Sequence, residues 1–319
     1  MQGIDPIRPV AVFAGDGTAL YGFTGGHPFG QDRQAAFLHE LRGQALDRRV
    51  LLLDAKPARE ADLLLFHDPY YVEFVRDRCA REGGYLDMGD TPAQPHVYAA
   101  GLAVVGATLA AAEAVAQRRL ARAFVPIAGL HHAARDHAAG FCVFNDIGVA
   151  IEMLRQQHGI RRIAYVDIDA HHGDGVFYAY ENDAELFIAD IHQDGRSLYP
   201  GTGHADETGK GTAAGTKLNV PLLAHAGSED FRVAWERVET FVDAARPEFI
   251  ILQCGADALA GDPLTALGLA AEDHGFAAGR LVELANRHAN GRLMALGGGG
   301  YDRPNLAAAW SAVVAALLD

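Results

Sequence analysis

The chain has 319 residues, of which 50% are hydrophobic, a formal net charge of −14 at pH 7 and three cysteines. This apolar content argues against a disordered chain, and the negative charge argues against nucleic acid or anionic membranes as partners. The charge modestly favours cationic small molecules or Lys-rich tails, but solubility alone accounts for it more readily. Cys79, Cys142 and Cys254 are too few and too scattered for a disulfide framework or a Cys-type zinc site, so we expect a reducing, cytoplasmic setting.

Short apolar runs that are typical of buried strands alternate with helical patterns along the chain. The first residues lack the pattern of a signal peptide, and we expect no membrane span because polar residues interrupt every apolar run. We predict strands over residues 10–14, 50–53, 123–127, 163–169, 186–191, 249–254 and 293–296. We predict helices over residues 32–41, 69–81, 97–116, 145–158, 228–245, 271–287 and 304–318. This alternation predicts an α/β fold, with a mostly parallel sheet between two layers of helices, and one domain over residues 1–319.

Two adjacent histidines, His131 and His132, follow the strand predicted at 123–127. A lone histidine would more often be an ordinary surface or core residue, but two together after a strand favour a proton-transfer pair. A carboxylate bound to one ring nitrogen would fix the tautomer that each histidine presents. Asp167 and Asp174, further along the chain, are available for this role.

The next motif, Asp167-Ile-Asp-Ala-His-His-Gly-Asp174, places three carboxylates and two imidazoles at a strand end. Strand alternation would put Asp167, Asp169 and His171 on one face. Carboxylate oxygen and imidazole nitrogen suit Zn²⁺, and a catalytic site needs about three protein ligands. Asp169 and His171 supply two, and Asp257, after the strand predicted at 249–254, is the best-placed third. The alternative is a structural network of charges without a metal.

The last motif is a run of four glycines, 297–300, followed by Tyr301. Glycines let the backbone turn tightly and approach a ligand closely, but this run lacks the spacing of a dinucleotide-binding loop. A tyrosine delivered by such a loop is placed to hydrogen-bond a developing oxyanion. On its own, Tyr301 would more often be a packing residue.

Taken together, these segments resemble the zinc-dependent histone deacetylase family, including its acetoin-utilization and acetylpolyamine-amidohydrolase branches. The matching stretches occur in family order from His27-Pro28 to the C-terminus: GLHHAARDHAAGFCVFNDI, YVDIDAHHGDGV, YPGTG, LQCGADALAGDPL and LGGGGYDRPN. The resemblance implies the arginase–deacetylase fold, with three α/β/α layers around an eight-stranded, mostly parallel sheet.

The resemblance also implies two cation sites. It assigns Zn²⁺, or Fe²⁺ in the cell, to Asp169, His171 and Asp257. It assigns a structural K⁺ to Asp167, Asp169, His171, Asp190 and Ile191, partly through backbone carbonyls. Asp190 departs from the Ser or Thr that is common at its position.

The resemblance implies a catalytic group as well. His132 would be the general base paired with Asp174, and His131 the second catalytic histidine paired with Asp167. Tyr301 would polarise the scissile carbonyl.

Substrate contacts follow from the same resemblance. The implied substrate-binding residues are Arg33, Asp90, Gly140, Phe141, Tyr199 and Leu264. Phe141 and Tyr199 would line an acyl-lysine tunnel, and Tyr199 stands where Phe is common. Asp90 would grip the substrate backbone from a rim loop, whereas Arg33 would lie near the acetate-release region. The stretch HPFGQDR differs from the commoner HPE form, so the rim is the less regular part of the match.

The function predicted from these residues is metal-assisted hydrolysis of the amide in N-acyl-lysine, within a peptide or a small acylated amine. Acylpolyamine hydrolysis is the first alternative, but Leu264 occupies the position where that branch usually has an acidic gatekeeper. An arginase-like ureohydrolase would need a two-metal cluster, and a non-catalytic acyl-lysine binding module would lack a ligand or Tyr301. A homo-oligomer is compatible with the sequence.

Overall fold

A computed structural model describes residues 9–81 and 83–319. Its eight strands are β1 Val10–Phe13, β2 Leu51–Leu53, β3 Arg122–Val125, β4 Ile163–Asp167, β5 Leu186–Gln193, β6 Lys217–Leu222, β7 Phe249–Gln253 and β8 Leu293–Leu296. They form one sheet in the order β2-β1-β3-β8-β7-β4-β5-β6, and every neighbouring pair is parallel. The predicted α/β architecture is confirmed.

The described helices are α1 Asp16–Ala19, α2 Arg33–Gly43, α3 Glu60–Leu63, α4 Pro69–Ala80, α5 Val97–Ala116, α6 Asp146–His158, α7 Asp174–Ala179, α8 Ser228–Ala245, α9 Ala271–His288 and α10 Arg303–Leu317. Helix α8 shows how they cover the sheet. It buries Phe231, Trp235, Val238 and Val242, whose spacing of three and four residues places them on one face against β5 and β6. Each such side chain contributes about 1.5–3 kcal/mol by leaving water.

The central strands are buried on both faces, as their continuous aliphatic runs predict. In β7 all five residues of Phe-Ile-Ile-Leu-Gln are buried, and the same holds for β4. The predicted bounds of β8, α5 and α8 agree with the structure. These three segments have strong apolar patterns, so local sequence is enough to define them.

Two parts of the sheet differ from the prediction. Strand β6 was not predicted, because it begins at Lys217 and contains Pro221. The proline is tolerated because β6 is an edge strand of the sheet. Strand β4 ends at Asp167, where the Asp169 amide donates to the Asp167 carboxylate and the chain turns. The expectation that strand alternation carries His171 onto the face of Asp167 is therefore wrong, although the side chains of Asp169 and His171 do meet.

Among the described residues, the 20-residue helix α5 is the segment that bears on the expectation of no membrane span. By length and composition it is apolar enough to cross a membrane, with a mean hydropathy of 1.7 in its best window. However, 72% of that window is buried inside the protein, against neighbours that include β3 and α6. This is the pattern of a core helix.

Four adjacent strands, β3, β8, β7 and β4, bring the functional motifs together. In a parallel sheet all their carboxyl ends lie at one edge, which is where ligands bind in such folds. The loop after β3 carries His131 and His132, and the loop after β4 carries Asp169 and His171. Asp257 follows β7, and the glycine run with Tyr301 follows β8.

Candidate active site

The two histidines each bind a separate carboxylate. His131 Nδ1 lies 2.8 Å from Asp167 Oδ2, at the end of β4, and His132 Nδ1 lies 2.6 Å from Asp174 Oδ1, at the start of α7. Their Nε2 atoms are 3.1 Å apart. A hydrogen bond at that distance requires a proton on one of the two Nε2 atoms. The two histidines can therefore share a single proton.

The surroundings of His132 favour its neutral form. Burial lowers its pKa and the neighbouring His131 lowers it further, although Asp174 opposes both. The side chain of Asp174 is 21% exposed. Its partial burial raises its pKa, but the charge and hydrogen bond of His132 outweigh this and lower the pKa overall. A neutral imidazole held at Nδ1 by a carboxylate presents the lone pair of Nε2, as a general base requires.

Sequence reasoning missed the residue that holds the histidine loop in place. Asp146, the first residue of α6, is fully buried and accepts hydrogen bonds from the amides of Gly129 and Leu130. Thr108 donates to the same carboxylate at 2.7 Å. The only signal in the sequence was that Asp146 belongs to the matching stretch that begins at Gly129.

Asp169, His171 and Asp257 form a group whose ligand atoms all lie within 4.8 Å of one another. His171 Nδ1 is 3.1 Å from Asp169 Oδ1 and 3.1 Å from Asp257 Oδ2. The other oxygens of the two aspartates accept hydrogen bonds: Asp169 Oδ2 from Gln253 and the Gly299 amide, and Asp257 Oδ1 from the Ala170 amide. One oxygen of each carboxylate therefore faces the imidazole nitrogen.

These three residues have the chemistry of a divalent cation site. Both carboxylates are essentially fully buried, and among the described residues no Lys or Arg forms an ion pair with either. Burial lowers the pKa of His171, but hydrogen bonds and charge from Asp169 and Asp257 outweigh it and raise the pKa to about 10. Burial and the charge of Asp169 raise the pKa of Asp257 to about 7. A divalent cation at this point would replace the His171 proton as the balancing positive charge.

Tyr301 lines the same cavity as the two histidines and the candidate metal ligands Asp169 and His171, which with Asp257 are called the metal-type group below. Its ring centroid lies 6.3 Å from that of Phe29 and 5.8 Å from that of Phe141, and its amide donates to Asp262 Oδ2 at 2.8 Å. No hydrogen bond to its hydroxyl is found among residues 9–81 and 83–319. Burial, together with Asp257 and Asp169, raises its pKa, so the hydroxyl keeps its proton and can donate.

Glycine is required in the loop that delivers Tyr301. Gly298 has φ +69°, and a Cβ at Gly299 would overlap the Asp257 carboxylate. Arg33, which is fully buried, donates to the carbonyls of Gly298 at 2.6 Å and Gly300 at 3.0 Å. Arg33 therefore fixes the glycine loop from behind.

The predicted tunnel residues lie beside the histidines. The Tyr199 ring is 5.1 Å from His132 and 6.3 Å from His171, measured between centroids. A Cβ at Gly140 would overlap the His132 ring, so no larger residue fits there. Phe141 adopts φ +67° and faces Tyr301.

Asp90 and Leu264 are more peripheral. Burial and the neighbouring Asp87 raise the pKa of Asp90 to about 6. Leu264 is 39% exposed, and its amide donates to Asp262 Oδ1 at 2.9 Å. Because Asp262 also binds the Tyr301 amide, it links the Leu264 loop to Tyr301.

Two of the residues predicted to hold K⁺, Asp167 and Asp190, are register partners in β4 and β5. Asp190 Oδ1 lies 2.6 Å from His192 Nδ1, and Oδ2 accepts from the Gly173 amide. Burial lowers the pKa of His192, but Asp190 outweighs it and raises that pKa. A K⁺ at this point would share the Asp190 carboxylate with His192 and the Gly173 amide. A Ser or Thr at position 190 would carry no negative charge to attract His192.

Comparison with known proteins gives one consistent match. The model of the histone deacetylase domain matches residues 27–317. A "Probable deacetylase" of Archaeoglobus fulgidus is 35% identical over 86% of this chain and 76% of its own. The "Acetoin utilization protein AcuC" of Bacillus subtilis is 34% identical over 88% and 75%, and a "Histone deacetylase-like amidohydrolase" of Pseudomonas aeruginosa is 34% identical over 80% and 67%. The crystal structure of the HDA15 HD domain superposes with a TM-score of 0.91 and 27% identity, covering 98% of this chain and 90% of that one.

Proposed function

Because the chain belongs to the histone deacetylase family, we propose that it is a Zn²⁺-dependent deacylase that hydrolyses the amide of N-acyl-lysine. The carrying observation is that Asp169, His171, His132 and Tyr301 line one cavity. Behind them, Asp257 contacts His171 and Asp174 contacts His132. We propose an acylated peptide or protein as substrate, or a small acylated amine, in the cytoplasm, with no role for nucleic acid or membranes. Fe²⁺ is the alternative metal, and the proposal includes a structural K⁺ at Asp167 and Asp190.

The side chains have separate roles in this proposal. Bound Zn²⁺ supplies Lewis-acid polarisation of the scissile carbonyl and activation of water. His132 takes the water proton at Nε2, while Asp174 holds its other nitrogen and stabilises the imidazolium that forms. Tyr301 donates its hydroxyl hydrogen bond to the developing oxyanion. A proton held between His131 and His132 then passes to the leaving amine, which prevents collapse back to substrate.

The test is a turnover panel of acetyl-, propionyl- and longer acyl-lysine peptides alongside acetylated polyamines. We expect the highest kcat/KM for an acyl-lysine peptide. Equal or higher values for acetylated polyamines would favour the first alternative, for which the rim acids Asp87 and Asp90 are the supporting observation. An arginase-like reaction gains no support, because the metal-type group found among the described residues has three members and not the larger set of a two-metal cluster.

We expect a small hydroxamate to inhibit turnover. The cavity between the ligand group and Tyr301 is lined by His131, His132 and Gly299, and a hydroxamate chelates a metal through two oxygens. Inhibition is measured as a dose–response curve, with the matching carboxamide, which does not chelate, as the control compound. Absence of inhibition at millimolar concentration would count against an open metal site.

Leu264→Glu is expected to shift preference from acetyl-lysine towards acetylpolyamines. The side chain is 39% exposed, so a carboxylate there would attract a second ammonium group through solvent, an effect of up to about fivefold in the ratio of kcat/KM values. Val233→Glu adds the same charge on the exposed face of α8 and serves as the control. If both variants behave alike, Leu264 does not lie at the substrate gate.

A further inference from the structure

His27 connects three segments at the mouth of the active site. The Phe29 amide donates to His27 Nδ1 at 3.1 Å, and His27 Nε2 lies 3.1 Å from the backbone carbonyl oxygen of Asp90. Because an amide can only donate, Nδ1 must carry a lone pair, and the hydrogen on Nε2 then points to the carbonyl. Burial lowers the pKa of His27, in agreement with this neutral form. The ring also contacts Phe141, with centroids 4.6 Å apart.

Thr91 forms a second connection between the same segments. The Asp87 carboxylate accepts from the amides of Gly89, Asp90 and Thr91, which folds residues 87–91 into a compact loop. The Thr91 hydroxyl donates to Asp87 and accepts from the Phe141 amide at 3.1 Å. The loop that carries Asp90 is therefore attached to Phe141 by a hydroxyl on one side and by the His27 ring on the other.

Phe141, to which the loop is attached, has an uncommon backbone conformation. Its φ of +67° lies in the left-handed region, which costs of order 1–3 kcal/mol for a residue of this kind unless its surroundings hold it. Its carbonyl accepts from the Tyr21 hydroxyl at 2.8 Å, its amide donates to Thr91, and its ring meets His27. The Tyr21 hydroxyl holds Phe141 independently of the rim, whereas the position of the Asp90 loop against Phe141 depends on His27 and Thr91.

We propose that His27 and Thr91 are positioning residues that hold the Asp90 loop against the tunnel wall at Phe141, so that the Asp90 carboxyl meets the backbone of a peptide substrate. The inference rests on the proposed function, since it assumes that acyl-lysine enters past Phe141. Both side chains lie between surface loops, away from the metal-type group. Their loss should therefore weaken recognition of the peptide and leave the chemical step alone.

The experiment uses two pairs of variants of the metal-loaded protein. His27→Phe keeps the ring and removes both hydrogen bonds, whereas His27→Gln keeps a donor for the Asp90 carbonyl. Thr91→Val keeps the shape and removes the hydroxyl, whereas Thr91→Ser keeps the hydroxyl. His96→Phe is the control, because His96 Nε2 binds the Gly22 carbonyl at 2.9 Å near the same loops and does not contact Asp90.

Two readouts are measured at a temperature at which circular dichroism shows every variant folded. The first is kcat and KM for an acetyl-lysine peptide. The second is the Kd of two probes: a peptide that carries a hydroxamate in place of the acetyl-amide end of the lysine side chain, and hexanoyl hydroxamate, which has no backbone. We expect His27→Phe and Thr91→Val to raise the peptide KM and the Kd of the peptide probe about tenfold, the worth of one hydrogen bond to a charged group. We expect kcat and the Kd of hexanoyl hydroxamate to stay within about twofold of the wild-type values. In His27→Gln, Thr91→Ser and the control His96→Phe, we expect KM and both Kd values to remain near those of the wild type.

An equal rise in Kd for both probes, or no rise for the peptide probe in either His27→Phe or Thr91→Val, would overturn the inference. A wild-type protein that binds both probes but hydrolyses no acyl-lysine peptide would instead overturn the proposed function. In that case the Kd ratio of the two probes still decides whether His27 and Thr91 hold a peptide-binding rim. The two failures are therefore distinguishable.

Discussion

Tyr301→Phe is expected to lower kcat by about 100-fold or more while the affinity for a substrate-like inhibitor stays nearly unchanged. The phenyl ring keeps its contacts with Phe29 and Phe141, so the packing of the cavity is preserved. Only the hydroxyl is lost, and its raised pKa keeps it a donor in the wild type. A group that acts mainly in the transition state affects kcat much more than binding.

The measurement is kcat for an acetyl-lysine peptide, together with the Kd of a non-chelating substrate analogue. Tyr98→Phe is the matched control, because Tyr98 lies on α5 and does not line the cavity, and its hydroxyl donates to Glu60 of α3 at 2.7 Å. Near-wild-type turnover in Tyr301→Phe would remove this residue from the mechanism. It would also reopen the arginase-like alternative.

Asp257→Ala is expected to abolish stoichiometric metal binding and to lower kcat/KM on the order of 10³-fold or more. Losing one of three ligands leaves too few to hold the ion. Lewis-acid stabilisation of the transition state is worth several kcal/mol, and each 1.4 kcal/mol or so corresponds to about tenfold in rate. The carboxylate is completely buried and lies 3.1 Å from His171 Nδ1, so no solvent-exposed acid can substitute for it.

Metal content per chain is measured by elemental analysis after purification without chelators. Asp206→Ala, on an exposed loop, is the control for the loss of one carboxylate. Thermal unfolding of both variants shows whether the fold is intact. Unchanged metal content in Asp257→Ala would show that the ion, if present, is held elsewhere.

The site could be predicted from the sequence to a large extent because its residues follow strands. His132, Asp169, Asp257 and Tyr301 each come shortly after an apolar run, and a parallel sheet brings such positions to one edge. Asp169 and His171 were predicted to lie together, and they do. The reason given, strand alternation, does not apply, because β4 ends at Asp167. The turn after Asp167 is held by side-chain to backbone hydrogen bonds, which periodicity does not detect.

The rim was much less predictable. The contact of His27 with Asp90 spans 63 residues of sequence and that of Thr91 with Phe141 spans 50. Neither contact leaves a periodic pattern in the local sequence, because each involves single residues on irregular loops. The edge strand β6 was missed for a related reason, since Pro221 and Lys217 oppose the usual strand composition.

The place of β8 in the sheet has a consequence for how the protein folds during synthesis. Strand β8 lies between β3 and β7, which are therefore not paired with each other. Until residues 293–296 leave the ribosome, native pairing of the other strands can give only two partial sheets, with open edges at β3 and β7. Open edges promote association with other chains. The His131–His132 loop belongs to one partial sheet and Asp257 to the other. Insertion of β8 closes both edges and brings the two halves of the active site together in the same step.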